Sequence, residues 1–95
     1  MAMNVIARRT LVAFGQQHPD AMKPLLDWHN HCRRATYTCF ADVRADFGSA
    51  DWVKGFIIFN IAGNKYRLVA LPNFPTRLYV KHVFTHKQYD DWRVT

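Results

Sequence analysis

The stretch Val53-Lys54-Gly55-Phe56-Ile57-Ile58-Phe59-Asn60-Ile61-Ala62-Gly63-Asn64-Lys65-Tyr66-Arg67-Leu68-Val69-Ala70-Leu71 carries two strands and the turn that joins them. From Val53 to Ile61 the residues are apolar, β-branched or aromatic apart from Lys54, Gly55 and Asn60, which is the pattern of a central strand covered on both faces. Ala62-Gly63-Asn64 turns the chain. Lys65 to Leu71 then alternates, placing Lys65, Arg67, Val69 and Leu71 on one face and Tyr66, Leu68 and Ala70 on the other. Pro72-Asn73-Phe74-Pro75 ends or bends that strand, since proline cannot donate to a ladder, and Leu78 to Thr85 is the third member of an antiparallel meander. Its alternation assigns Tyr79, Lys81, Val83 and Thr85 to one face and Leu78, Val80, His82 and Phe84 to the other. His86 to Trp92 follows as one or two helical turns, with His86 and Tyr89, three apart, on one side.

Upstream the period is helical. Met3 to Ala7 reads as a short strand, and Arg8 to Gln17 as a helix with Leu11, Val12 and Phe14 inward. His18-Pro19-Asp20 stops it. Asp20 is expected as the N-cap of a second helix, Ala21 to Arg34, which tolerates Pro24 in its first turn and aligns Leu25, Trp28 and Cys32 on one face. The two helices form a hairpin. A helical turn is expected around Phe40 to Asp46, followed by a Gly48-Ser49 loop. The fold class is therefore α+β: a short N-terminal strand, a helix hairpin packed on an antiparallel sheet, and a short C-terminal helix.

A chain of 95 residues makes one small domain, because it buries only about two-thirds of its unfolded surface and cannot divide that core. With 49% hydrophobic and 15% aromatic residues it carries more than a disordered chain does. No apolar run approaches the roughly 18 residues of a membrane span, and the arginines of the N-terminus follow its apolar residues, the reverse of a secretion signal. A cytoplasmic location is expected. Cys32 and Cys39 form neither a disulfide framework nor a Cys-x-x-Cys site. They are read as reduced, partly buried thiols. His29 and His31, two apart on a helix, point about 200° away from each other and do not suggest a metal pair. No cofactor is expected.

Charge is more informative. The net charge is +6, all seven acids are aspartates, and none lies between Asp51 and Asp90, where Lys54, Lys65, Arg67, Arg77, Lys81 and Lys87 do lie. Clustered cations with aromatics between them select a polyanion such as an RNA backbone. Metal-free RNA cleavage begins when a ribose 2′-OH attacks the adjacent phosphate. The protein must then take one proton, give another and stabilise charge on the phosphate oxygens. Arg67, His86, Tyr89 and Lys81 are the candidate catalytic set, with Lys54, Lys65, Arg77 and Lys87 as RNA-binding residues. Arg67 in an apolar strand needs a partner that a phosphate would supply. His82 is read as a buried or edge histidine, and Trp28, Trp52 and Trp92 as packing.

Phe59 to Ala70, with its Asn-Ile-Ala-Gly-Asn-Lys-Tyr-Arg run, together with Tyr79-Val80-Lys81-His82-Val83-Phe84-Thr85-His86-Lys87-Gln88-Tyr89-Asp90, resembles the HigB toxins of the RelE superfamily. The resemblance spans Met3 to Trp92 and is strongest after Phe56. It implies a RelE-like fold and cleavage of messenger RNA on the translating ribosome. It also implies neutralisation by a helix-turn-helix, HigA-like antitoxin that represses the shared operon. Arg67 matches the strand arginine that contacts the scissile phosphate in related toxins, and His86 and Tyr89 match the closing motif. Ala62 departs from the glycine often seen there, and no basic tail follows the motif. Two other functions fit the same fold class. One is a toxin that cuts nothing and inhibits a protein such as DNA gyrase; the other is a non-catalytic basic RNA-binding module.

Overall fold

Lys54 and Gly55 break the apolar run in two. Both have positive φ, 58° and 85°, the signature of a two-residue hairpin turn, and Val53 pairs with Phe56 across it. The expected single strand is therefore a hairpin of β2 (Asp51–Val53) and β3 (Phe56–Ile61). The structure, a computed structural model, describes residues 3–94. Around that hairpin stand β1 (Asn4–Ile6), α1 (Arg8–Gln17), α2 (Pro19–Arg34), α3 (Phe40–Asp46), β4 (Tyr66–Asn73), β5 (Arg77–Thr85) and α4 (His86–Arg93). The architecture is α+β, compatible with a RelE-like fold. The sheet order is β1-β5-β4-β3-β2, antiparallel except for β1, which runs parallel to β5. The expected three-strand meander thus has four strands and gains β1 at its edge. Among the described residues no helix is long and apolar enough to cross a membrane.

One face of the sheet carries the main core. Phe59, Leu68, Leu78, Leu11 and Leu25 are almost fully enclosed there beneath α1, α2 and α3. Trp28 meets Phe59 edge-on at 5.1 Å, and Phe47 does so at 5.0 Å. The hairpin of α1 and α2 crosses closely at Gly15, where a Cβ would lie 2.6 Å from Met22 Sδ and 3.1 Å from its Cα. On the other face, α4 lays Tyr89 over Ile58 and Val69 to make a second, smaller core. Cys32 is buried, which pushes its thiol up to about 12, whereas Cys39 is exposed and not partly buried as expected.

Three local expectations are corrected. Asp20 does not cap α2, which starts one residue earlier at Pro19, the residue best suited to a first helical position. Its carboxylate instead accepts from the Tyr66 hydroxyl at 2.6 Å and from the Lys65 ammonium, so the β3–β4 turn is tied to the helix hairpin. These two donors hold the Asp20 carboxyl below its ordinary range, Lys65 most strongly. Lys65 consequently leaves the face of Arg67: it lies in the turn before β4, free of the strand's alternation, and reaches to the helix side. In β5 the alternation breaks at a bulge. Val69 pairs with His82 but Ala70 with Val80, so Lys81 is the extra residue. Beyond it Val83 turns to the main core, while His82 and Phe84 move to the face of Arg67 and α4. His82 is exposed there.

Candidate functional site

A cleft of about 290 Å³ opens between α4, β3, β4 and the loop before β2. Arg67 forms its floor. The strand reverses at Ala62 and Gly63, both with positive φ, and re-enters the sheet with Arg67 opposite Asn60. Arg67 is 9% exposed, and its guanidinium NH1 donates to the Asn64 carbonyl at 3.1 Å and to the Tyr66 carbonyl at 3.2 Å. NH2 donates to Asn64 Oδ1 at 3.3 Å. These acceptors are neutral, and among the described residues no carboxylate pairs with Arg67, so its charge is oriented without being neutralised. Holding it this way restricts the geometry before any ligand arrives.

The cleft wall is α4, and its start is fixed by a capping box. Gln88 N donates to Thr85 Oγ1 at 3.2 Å, and Thr85 N donates to Gln88 Oε1 at 2.9 Å. That sets His86 as the first helical residue. One turn on, Asp90 Oδ2 lies 3.2 Å from His86 Nδ1, which leaves Nε2 unengaged by that carboxylate. Tyr89 projects from the same side, with its ring 5.9 Å from the Arg67 guanidinium carbon. Its phenol is held above the ordinary value, first by burial, with Asp51 acting in the same direction and Arg93 and Arg67 opposing. The phenol therefore stays protonated at neutral pH, a group suited to donating a proton rather than taking one.

The structure brings Arg67, His86 and Tyr89 into one cleft and leaves the other sequence candidates outside it. Lys81, the bulge residue, puts its ammonium 5.6 Å from the centre of the Tyr79 ring. Arg77 donates to the Tyr79 hydroxyl at 3.4 Å. Lys54 donates to the Trp92 carbonyl at 3.1 Å and lies 4.7 Å over the Trp92 ring, where it ties down the end of α4. Lys87 is exposed on the first turn of α4, and Lys65 is held by Asp20.

Asp51, Asp90, Asn60, Ser49 and Arg93 also line the cleft and were not among the sequence candidates. The acid-free interval of the sequence is thus flanked in space by its two bounding aspartates. Asp90 was legible, since it stands four residues after His86 on an expected helix. Asp51 arrives only because β2 folds back on β3, with Asp51 opposite Ile58. Among the described residues no group of three or more His, Cys, Asp or Glu side chains is arranged to hold a metal ion.

Residues 21–92 match the family described as HigB toxin, the RelE-like toxic component of a toxin–antitoxin system. The chain belongs to the HigB toxin family. Over 92 residues it is 27% identical to the mRNA interferase toxin HigB of Escherichia coli K12, covering 93% of this chain and 88% of that protein. The same identity and coverage hold for the proteins named mRNA interferase HigB from Escherichia coli O157:H7 and Shigella flexneri. In this HigB-family chain the lining residues of the cleft from Ser49 to Asp90 fall within the matched segment, and Arg93 lies one residue beyond it.

Proposed function

We propose that this protein is the toxin of a type II toxin–antitoxin system and acts as a metal-independent endonuclease that cuts messenger RNA on the ribosome. The observation that carries this reading is the convergence of Arg67, His86 and Tyr89 on a single open cleft with an un-neutralised cation at its floor. The names of the relatives support it from a separate direction. A helix-turn-helix, HigA-like antitoxin is the proposed partner, and its contact surface is expected to be acidic.

In the proposed reaction, Arg67 donates to the non-bridging oxygens of the scissile phosphate and stabilises the charge that builds there as the 2′-oxygen attacks phosphorus. His86 Nε2 accepts the 2′-OH proton while Asp90 holds Nδ1–H, so the imidazole becomes an imidazolium beside a carboxylate. The bond from phosphorus to the 5′-oxygen breaks, and the Tyr89 phenol protonates that leaving oxygen. The products are a 2′,3′-cyclic phosphate and a free 5′-hydroxyl. Lys81 has no part in this division of roles, because the bulge carries it away from the cleft.

Primer extension on transcripts from cells expressing the protein tests the activity itself. New 5′ ends inside coding regions support the nuclease, whereas intact transcripts with stalled replication support a gyrase-type inhibitor. Cleavage of programmed ribosomes by purified variants tests the roles. Losing a general acid or base costs about 10²–10⁴ in rate, so His86→Ala and Tyr89→Phe are each expected to fall in that range. Wild-type rates for both variants would overturn the assignment.

A further inference from the structure

The bulge at Lys81 builds a second surface. Beyond the strip that α4 covers, the same face of the sheet is left open: Ile6 is 45% exposed and Leu71 36%, and both flank Tyr79 in the strand register. Along β5 cations and rings interleave on this face. Arg77 bonds the Tyr79 hydroxyl, Lys81 lies over the Tyr79 ring, and the exposed His82 ring stacks on Phe84 at 4.9 Å and 14°. Neither β5 nor its partners in β4 and β1 contains an acidic residue.

We infer that this open face of β5, built from Arg77, Tyr79, Lys81 and His82, is a docking platform for single-stranded RNA. Bases stack on Tyr79 and on the exposed His82 ring, and phosphates meet Arg77 and Lys81. This deepens the nuclease reading and rests on it for the identity of the ligand. The chemistry is that of sheet faces on which exposed aromatics stack unpaired bases and flanking cations follow the backbone. A purely ionic patch would have no use for the exposed His82 ring and the half-buried Tyr79 ring set between its cations. A purely apolar docking face would not carry only one sign of charge. The platform adjoins the cleft in strand register, with Trp92 of α4 packed between them: Phe84, on which His82 stacks, is the cross-strand partner of Arg67, and Trp92 lies 6.0 Å from both the His82 and the Phe84 ring. Opposed side chains in such a pair stand about 5 Å apart. A strand whose scissile phosphate sits on Arg67 reaches β5 by passing around α4, and its neighbouring nucleotides then lie along the open face.

Without its bulge, β5 would turn His82 inward with Val80. The extra residue is thus what aims the ring outward, a recurrent use of bulges beside functional sites.

The experiment is fluorescence anisotropy of the full chain with a labelled single-stranded RNA of about a dozen nucleotides, ribosomes absent. His82→Ala and Tyr79→Ala are each expected to weaken binding roughly five-fold or more, with His82→Phe close to wild type because a flat ring is restored. Lys81→Ala should lower the logarithmic salt slope by about 0.7. Duplex RNA, whose bases are not available for stacking, should compete poorly. Arg77, Lys81 and His82 are exposed and Tyr79 is half-buried, so an unchanged melting temperature is expected for His82→Ala and Lys81→Ala, and Tyr79→Phe serves as the folded control for Tyr79→Ala. Affinity that is unchanged in both alanine variants overturns the platform, as does an equal loss for single-stranded and duplex RNA. Unchanged RNA affinity with lost capture of an acidic peptide also overturns it and gives the face to a protein. The two readings separate cleanly. A wild-type protein that cuts no programmed ribosome, while His82→Ala still loses RNA, refutes the nuclease and supports the platform; active cleavage with unaltered binding refutes the platform alone.

Discussion

Replacing Arg67 with methionine should separate activity from stability. Arg67 is 9% exposed, and its guanidinium has three bonds to neutral oxygens, two of them from NH1. Burying an unpaired cation costs several kcal/mol even after the surroundings relax. Three bonds from a charged donor return about 1.5 kcal/mol or more each, so the two contributions nearly cancel. Methionine keeps most of the aliphatic length and gains roughly 1 kcal/mol from burial. Unfolding stability should therefore stay within about 1 kcal/mol of wild type, a shift of a few degrees in Tm for a domain of this size. Cleavage of programmed ribosomes should fall by about 10²–10³, the usual loss when a donor to a developing oxyanion is removed. Thermal melts and single-turnover cleavage on the same preparation read both quantities. A loss of more than about 2 kcal/mol, with activity reduced only in proportion to unfolded protein, would refute the reasoning and make Arg67 a structural residue.

Phe59→Ala removes a ring that is 1% exposed and wedged between Trp28 and Phe47, and should cost about 3–5 kcal/mol in chemical denaturation. Against a total of roughly 5–15 kcal/mol, that leaves a marginal fold. Tyr66→Phe keeps the ring but loses the bond to Asp20, and should lower stability by about 1 kcal/mol in the same assay. His29 is buried and its Nδ1 has no hydrogen-bond partner among the described residues; burial first, then the charge of Arg33, hold its pKa below the ordinary value. A depressed folded pKa means that the neutral form stabilises the fold above the unfolded value near 6.5, and that this contribution is lost as pH falls below it. Melting temperature should therefore drop as pH falls from about 7 toward 5, and His29→Gln should flatten that slope.

The sequence by itself determined the element types and much of their extent. Helical period in Leu25, Trp28 and Cys32, alternation in Tyr66, Leu68 and Ala70, and the Thr85 to Gln88 spacing each express a local rule. Such rules depend only on backbone geometry and on which side chains prefer water. The same logic singled out Arg67, since a cation in an apolar strand is conspicuous without any coordinates. It also set His86 and Tyr89 on one side of a helix. What failed were features in which a single residue changes the phase. Lys54-Gly55 turned an apparent strand into a hairpin and brought Asp51 to the cleft. The extra residue at Lys81 reversed the faces of everything after it in β5. Because side chains alternate with a period of two, one inserted residue exchanges core for surface, and nothing in the composition of a strand marks where its partner skips a position. Lys65 and Asp20, 45 residues apart, meet only after the helix hairpin has packed on the sheet. The residue types of the site were thus written locally, but which of them share a cleft was decided by strand register and packing, which are properties of the whole chain.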